Sequence, residues 1–479
     1  MHPDRTGAQA LTTDRKHRAP TTRLSSRAVY VILVSCAICS GIVAAMAGLQ
    51  PLLRITVVAT LLGIGVLVLL VRHRTVIAFL LPLAGALWVP LVSIPLAGRG
   101  YTLTLLDIVM AVAVISLPWQ VCWRDSATVA RRVAIVGVFC VLVSMLSAVT
   151  VSQGRFSVML GSALITIRRY GWAAFVPLFL WSLPSTFRQD RALAFLAIAG
   201  LILAVSGILQ TVSMVITDAT VRATGLAFNP NVLGMLDVVT TDVLIGIGLE
   251  HPHSRPTRLF VTIGVMVSLV SLILSASRGG LLGLVVSSVL WIAWLFQAKR
   301  WNYRSILMGC IVCLVLLGIA VWVLPSSYAA TRIASLFSGN DANVAGRLMA
   351  WRYGWHLFLD YPFGVGAGNI GVVGGNYVTS PQVLPGFAGT DNQYWDMVLE
   401  AGLLGLALLV ALVVLLGKLG SRGWPNGTSK AAIASLVSAV VVGATGYTLF
   451  NPIVSLFVFY CCGLAGLPSS VVRRRGEFK

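Results

Sequence analysis

The chain has 479 residues, 57% of them hydrophobic and only 10% charged, with a formal net charge of +20. A soluble domain carries about 25% charged residues, so this composition excludes one and points to an integral membrane protein. In a soluble protein such a positive excess would imply nucleic acid as a partner; here its distribution along the chain reports topology and no nucleic acid is expected.

Residues 1–27 are polar and basic and read as a disordered cytoplasmic tail. No cleavable leader is expected, because the first apolar run is too long for a signal core and lacks a cleavage site. About fourteen apolar runs follow, near 28–49, 52–71, 75–97, 101–121, 133–151, 157–182, 192–216, 231–249, 259–277, 279–298, 305–324, 393–417, 431–449 and 453–470. Each approaches the roughly 20 residues that cross a hydrocarbon core of about 30 Å, and lipid leaves helices as the plausible spanning form. The predicted fold class is all-α, a polytopic membrane protein with about 12–14 transmembrane helices. Spans within 28–325 and 393–470 flank one long polar stretch, 326–392, and a basic tail, 471–479, ends the sequence.

With the first tail in the cytoplasm, 25 of the 35 Lys and Arg residues fall in inner segments. Short outer loops hold four, Arg99, Arg155, Arg222 and Arg278. That bias places both termini inside and 326–392 outside. All eight cysteines fall in spans or at their inner edge. Cys36-x-x-Cys39 and Cys310-x-x-Cys313 have metal-like spacing, but within lipid-facing helices they read as small packing residues. Neither disulfides nor a structural zinc are expected.

Charges in or near the outer half of the spans are the next signal, since a mid-bilayer charge costs at least about 2.5–3.5 kcal/mol on insertion scales. Arg168 lies roughly 18 Å along a helix entered near Phe156, too deep for simple snorkelling. Alternatively residues 156–167 lie flat on the membrane and the span starts near Arg168. Either way Arg168 and Arg169 form a cationic pair in the outer half. Arg222 opens an irregular turn through Gly225, Asn229 and Pro230, and Arg278 follows Ser275-Ala-Ser277 before Gly279-Gly280. Singly each reads as an interfacial anchor; together, with few outer acids to neutralise them, they form a cradle for an anion such as phosphate. Asp107, Asp237 and Asp242 also lie in spans, where pairing with buried arginines or a proton-relay role would retain them.

Within the outer stretch, Gly346 to Asp360 has apolar and aromatic residues at helical spacing and reads as an amphipathic helix lying over the outer membrane face. Tyr361-Pro362 stops it, and Gly364-Val-Gly366-Ala-Gly368 reads as a flexible turn. No strand precedes these glycines, so they do not read as a dinucleotide fingerprint. The stretch ends at Thr390-Asp391-Asn392, and the next span contains Gly402-Leu-Leu-Gly405.

Asp391-Asn392, nine residues, then Gly402-Leu-Leu-Gly405 resembles the signature of the bacterial O-antigen ligase and Wzy-type O-antigen polymerase superfamily. Arg347 with Trp351, the Tyr361-Pro362-Phe-Gly364-Val-Gly366 run, the Arg222 to Asn231 turn and Ser275-Ala-Ser277-Arg278-Gly279 are similar to the family's upstream pattern. The resemblance covers roughly residues 220 to 410 by motif. It implies an enzyme of the outer face of the bacterial cytoplasmic membrane, transferring a glycan from an undecaprenyl-diphosphate carrier to a hydroxyl acceptor without a cofactor. Carried over by position, Arg222 and Arg278 would hold the diphosphate, with Arg347, Arg168 and Arg169 as further candidates, and a metal would be unnecessary. The family's base is a histidine, and this chain has Asp391 there. Asp391 could serve as the base, His356 could supply it from elsewhere, or Asp391 could simply cap the next helix. Glu400, about two turns into the span, is less favoured. The competing reading is a transporter or flippase of a lipid-linked precursor, using Asp107, Asp237 and Asp242 for coupling; no internal repeat supports it. A non-catalytic scaffold is the third reading.

Overall fold

The computed structural model describes residues 74–87, 90–96, 99–118, 127–152, 156–184, 187–216, 222–297, 342–374, 390–446, 448–449 and 451–467, all within the unit Gly65–Lys479. The predicted tails 1–27 and 471–479, the spans 28–49, 52–71 and 305–324, the loop residues 326–341 and 375–389, and Cys36, Cys39, Cys122, Cys310 and Cys313 lie outside the described residues.

In chain order the helices are α1 (Arg74–Leu87), α2 (Leu105–Ile115), α3 (Thr128–Ser147), α4 (Phe156–Thr166), α5 (Trp172–Trp181), α6 (Gln189–Ile216), α7 (Pro230–Glu250) and α8 (Arg255–Ser275). They continue with α9 (Arg278–Gln297), α10 (Ala342–Asp360), α11 (Gln393–Gly420), α12 (Gly427–Gly443) and α13 (Pro452–Gly466). A π-helical turn, Ile167–Gly171, joins α4 to α5 without interruption, so 156–167 begin the same helix that carries Arg168 and Arg169. Among the described residues, seven helical segments are long and apolar enough to cross a membrane. The chain is thus a mostly helical, multi-pass membrane protein.

Two predicted spans are corrected. The runs near 75–97 and 101–121 give α1, then strands β1 (Pro90–Leu96) and β2 (Arg99–Thr104), then the short α2. The strands pair antiparallel, with Ile94 opposite Tyr101 and Leu96 opposite Arg99. Pro90 and Pro95 cannot supply the backbone donors that would prolong α1, and Val92, Ile94, Tyr101 and Thr102 favour extended backbone. Thr104 and Asp107 then form a capping box that starts α2. This hairpin is the departure from an all-helical architecture.

Helices α7 and α13 are buried over most of their length; every residue from Ile453 to Gly466 is buried. A helix apolar on all sides needs neighbours on all sides, and small residues let them approach. A Cβ on Gly463 would lie 3.0 Å from the Pro177 backbone, and one on Gly246 would lie 2.8 Å from the Gly427 carbonyl oxygen.

These contacts define two ends of the bundle. At one, Thr428 Oγ1 and N donate to Glu250 Oε1, and Gln189 donates to the Leu464 carbonyl. That end gathers Arg131, Arg132, Arg188, Arg191, Arg255, Arg258, Lys418, Arg422 and Lys430. At the other, the starts of α7, α9, α11 and α13 meet the ends of α3, α8 and α12. Arg222, Arg278, Arg347 and Asp391 are all at this second end.

Candidate functional site

The start of α11 is built by its own side chains. Asn392 Oδ1 accepts from Tyr394 N at 3.0 Å and Trp395 N at 3.2 Å, capping the helix. Thr390 donates to Asp396 Oδ1 through both its amide and its hydroxyl, each at 2.8 Å. Between these fixed neighbours Asp391 adopts φ 55°, a left-handed backbone that Asp tolerates better than most residues. Its side chain is 55% exposed and projects from the helix start. Asp391 is therefore not the cap; Asn392 is.

Helix α10 packs alongside this turn. Trp351 Nε1 donates to the Thr390 carbonyl at 3.1 Å, and Trp355 stacks on Trp395 with centroids 6.1 Å apart. One turn before Trp351, Arg347 Nε lies 3.5 Å from Asp391 Oδ2. So open an ion pair contributes only about 0–1 kcal/mol to stability; its effect is to aim the carboxylate. His356 is nine residues after Arg347, which at 100° per residue is half a turn away, and it is exposed on the opposite side of α10. Arg347, Trp351, Asp391 and Asn392 come together, and His356 does not join them.

The glycines have a different task from the one their spacing implied. Gly402, inside α11, has φ 65° and ψ −170°, which interrupts the helix. The carbonyls of Leu399 and Glu400 instead accept from Val365 N at 2.9 Å and Gly366 N at 2.8 Å. Gly364, Gly366 and Gly368 have φ 87°, 80° and 75°, a left-handed run that glycine adopts without a Cβ penalty. The segment read as a flexible turn is a buried strap, held from α3 as well: Ser147 Oγ donates to the Phe363 carbonyl at 2.7 Å, and Ala367 N donates to Ser144 Oγ at 3.0 Å. Gly402 and Gly405 are therefore packing residues; a Cβ on Gly402 would lie 2.9 Å from the Pro362 oxygen.

Glu400, set aside on sequence grounds, is the anchor of the strap. It is buried, accepts from Gly368 N at 2.8 Å, and its other oxygen receives the Arg169 guanidinium. Arg169 reaches it from the π-helical turn, a local irregularity often found at functional sites. The signal in the sequence was an intramembrane arginine and an intramembrane acid on separate predicted spans, with no spacing to connect them. Arg168, beside it, is half-buried.

Arg222 and the Ser275–Arg278 motif form one unit. Arg222 Nε donates to the Ser275 carbonyl at 2.9 Å, and its Nη2 reaches the Ala276 carbonyl at 3.1 Å and Asn231 Oδ1 at 3.0 Å. The guanidinium thus closes the carboxyl end of α8 and ties it to the start of α7, which Asn229 caps. Arg278 opens α9, and a Cβ on neighbouring Gly279 would touch Val442 and Thr445. One residue on, Gly443 lies against Gln393, whose side-chain Oε1 accepts from Thr448 Oγ1 and Leu449 N. Arg278 and Asp391 accordingly sit on a rim joined through the end of α12.

The span acids are engaged otherwise than expected. Asp107 is in its capping box, and Asp242 accepts from Ser287, from Trp291 Nε1 at 2.8 Å and from Ser435 at 3.1 Å. For Asp107 and Asp242, serine, threonine and tryptophan donors stand where arginines were expected. Asp237 is buried within α7. Among the described residues no three His, Cys, Asp or Glu side chains converge, and Cys140, Cys461 and Cys462 are buried free thiols.

Residues 263–410 match the O-antigen ligase family. The match supports membership in the O-antigen ligase superfamily and takes in Arg278, Arg347, the strap, the Asp391 turn and Glu400; Arg169 and Arg222 lie upstream of it. No curated protein matches the chain.

Proposed function

We propose that this protein is a glycan ligase or polymerase of the outer face of a bacterial cytoplasmic membrane. It would transfer a glycan from an undecaprenyl-diphosphate-linked donor to an acceptor hydroxyl. The observation that carries this reading is the placement of Asp391, at the family's base position, aimed by Arg347 at the end of the bundle that also presents Arg222 and Arg278.

In this reading the Asp391 carboxylate takes the proton of the acceptor hydroxyl as its oxygen bonds to the anomeric carbon. The bond from that carbon to the diphosphate oxygen breaks, and the electron pair leaves with the undecaprenyl diphosphate. Arg278 and Arg347 neutralise the charge that develops on the departing phosphate, where fixed donors act most strongly. Arg222 contributes to that positive field while holding the α7–α8 junction, and Arg168 extends it. Arg169 is committed to Glu400 and shapes the strap. Of the three acids that a transporter would use for coupling, Asp107 and Asp242 are hydrogen-bonded to neighbouring side chains, which disfavours that role for them, and Asp237 is buried within α7.

The test is glycan profiling with Asp391→Ala in a strain lacking the native gene. Loss of transfer with accumulation of single lipid-linked repeat units identifies a polymerase, and accumulation of long carrier-linked chains identifies a ligase. Wild-type profiles from the variant would overturn the assignment.

A further inference from the structure

Helix α10 leaves an apolar edge uncovered in a segment that is otherwise polar. Leu348, Trp355 and Leu359 fall within about 40° of one another on the helix, with Arg352 beside them. All four are exposed, Leu359 at 58%. Ala350, Gly354 and Leu357 lie on the far side and are buried against α11; a Cβ on Gly354 would meet Trp395 and Leu399. Burial against the protein is thus concentrated on one face of α10 and exposure of large apolar groups on the other, with Trp355 half-exposed while one side of its ring stacks on Trp395.

The exposed edge does not end with α10. Phe363 follows it, 78% exposed, with its carbonyl held by Ser147 at the end of α3 and its backbone against Gly402 of α11. Next in sequence to Ser147 and Gly402 on those two helices are Leu146, Leu403 and Leu404, all exposed. On membrane-spanning helices such residues face lipid. The edge of α10 is thus continuous with the lipid-facing surface of the bundle. Its depth agrees: Gly402 is 16 residues from Lys418 at the cation-rich end, roughly 24 Å of helix, close to the roughly 30 Å thickness of the hydrocarbon core. Tryptophan and arginine beside aliphatic residues are the side chains that favour the boundary between headgroups and acyl chains.

We propose that α10 is an interfacial helix whose Leu348–Trp355–Leu359 edge, continued by Phe363, is seated in the leaflet of the bilayer at the Asp391 end of the bundle. Arg347 projects from the shoulder of the same helix, about 100° from Leu348, so the seating holds Arg347 and Asp391 within a helix diameter of the headgroups. On the function proposed above, which this consequence rests on, a lipid-linked diphosphate reaches the carboxylate without leaving the membrane.

The experiment places the photoreactive residue benzoylphenylalanine at Leu359, Phe363 and Asp360 in full-length protein in its native membranes. Asp360 is exposed but lies well away from the edge. The ring at Phe363 replaces an aromatic one at an open position, and an unchanged thermal unfolding temperature verifies the fold. Phospholipid adducts at Leu359 and Phe363, with only background at Asp360, support the proposal. Adducts to protein, or equal lipid labelling at all three sites, overturn it. Lipid adducts in a protein without transfer activity would uphold this surface and remove the enzymatic reading; transfer without lipid adducts would do the reverse.

Discussion

Arg169 and Glu400 meet across two helices that are 231 residues apart in sequence, and the meeting fixes a third segment. The guanidinium takes one carboxylate oxygen while Gly368 N donates to the other at 2.8 Å. Glu400 is 5% exposed and Arg169 23%, so neither group is solvated well enough to stand alone. The arrangement explains how the chain keeps a charge pair among apolar helices: each ion neutralises the other, and a backbone donor satisfies the second oxygen of the acid, which together offset the cost of desolvation.

Removing one member should cost more than removing both. Arg169→Ala strands a buried carboxylate and should destabilise by about 3 kcal/mol, the lower end for a buried pair because Arg169 retains some water. Thermal unfolding in detergent should show the Arg169→Ala, Glu400→Ala double variant closer to wild type than the Arg169→Ala single. Additive losses would mean that the two groups do not interact.

The strap gives a second expectation. Gly366→Ala forces a Cβ to 2.5 Å from the Ala148 Cβ at φ 80°, and the left-handed backbone alone costs an L-residue about 1–2 kcal/mol. The unfolding temperature should fall and transfer with it. Gly346→Ala, where a Cβ meets nothing within 4 Å, should change neither. Equal effects from the two would show that the strap is not the constrained element.

How much of this was legible beforehand differs by element. The long spans were, because a run of apolar residues has one consequence in lipid. The hairpin at Pro90–Thr104 was not, since hydropathy is blind to whether Val92 and Ile94 sit in a helix or a strand. Asp391, Asn392, Arg347 and Trp351 were singled out by resemblance to a family's motifs, and they come together because they lie along two helices that start or pass at the same level. Glu400 was weighed only as a less favoured base, and its pairing was not legible because its partners, Arg169 and Gly368, are set by packing alone. The role of Gly364, Gly366 and Gly368 was misread as flexibility, because glycine's freedom serves both a loose turn and a fixed left-handed strap.

Arg222 and Arg278 should separate. Arg222 donates three hydrogen bonds at the α7–α8 junction, and a charged donor is worth about 1.5–3 kcal/mol where its acceptors are left buried. Arg222→Ala should therefore lower the unfolding temperature as well as activity. Arg278→Ala should reduce transfer, read as kcat against a purified lipid-linked donor, by more than any change in its unfolding temperature accounts for. An Arg278→Ala protein with full kcat would remove this residue from the diphosphate site.

The strongest discrimination comes at Asp391, where backbone and side chain make opposite demands. Its φ of 55° favours glycine, so Asp391→Gly should hold or raise the unfolding temperature, by up to about 1 kcal/mol of stability. The same change removes the only carboxylate aimed by Arg347 among the described residues. General bases contribute about 10²–10⁴ in rate, and transfer should fall by that factor in a protein that is no less stable. Asp391→His restores a group that accepts a proton, at a position where histidine also tolerates left-handed backbone, and should recover part of the rate. His356→Ala, altered on the far side of α10, should retain it all. A fully active Asp391→Gly enzyme would end the case for this residue as the base, and an inactive His356→Ala enzyme would move the base to the other face of the helix.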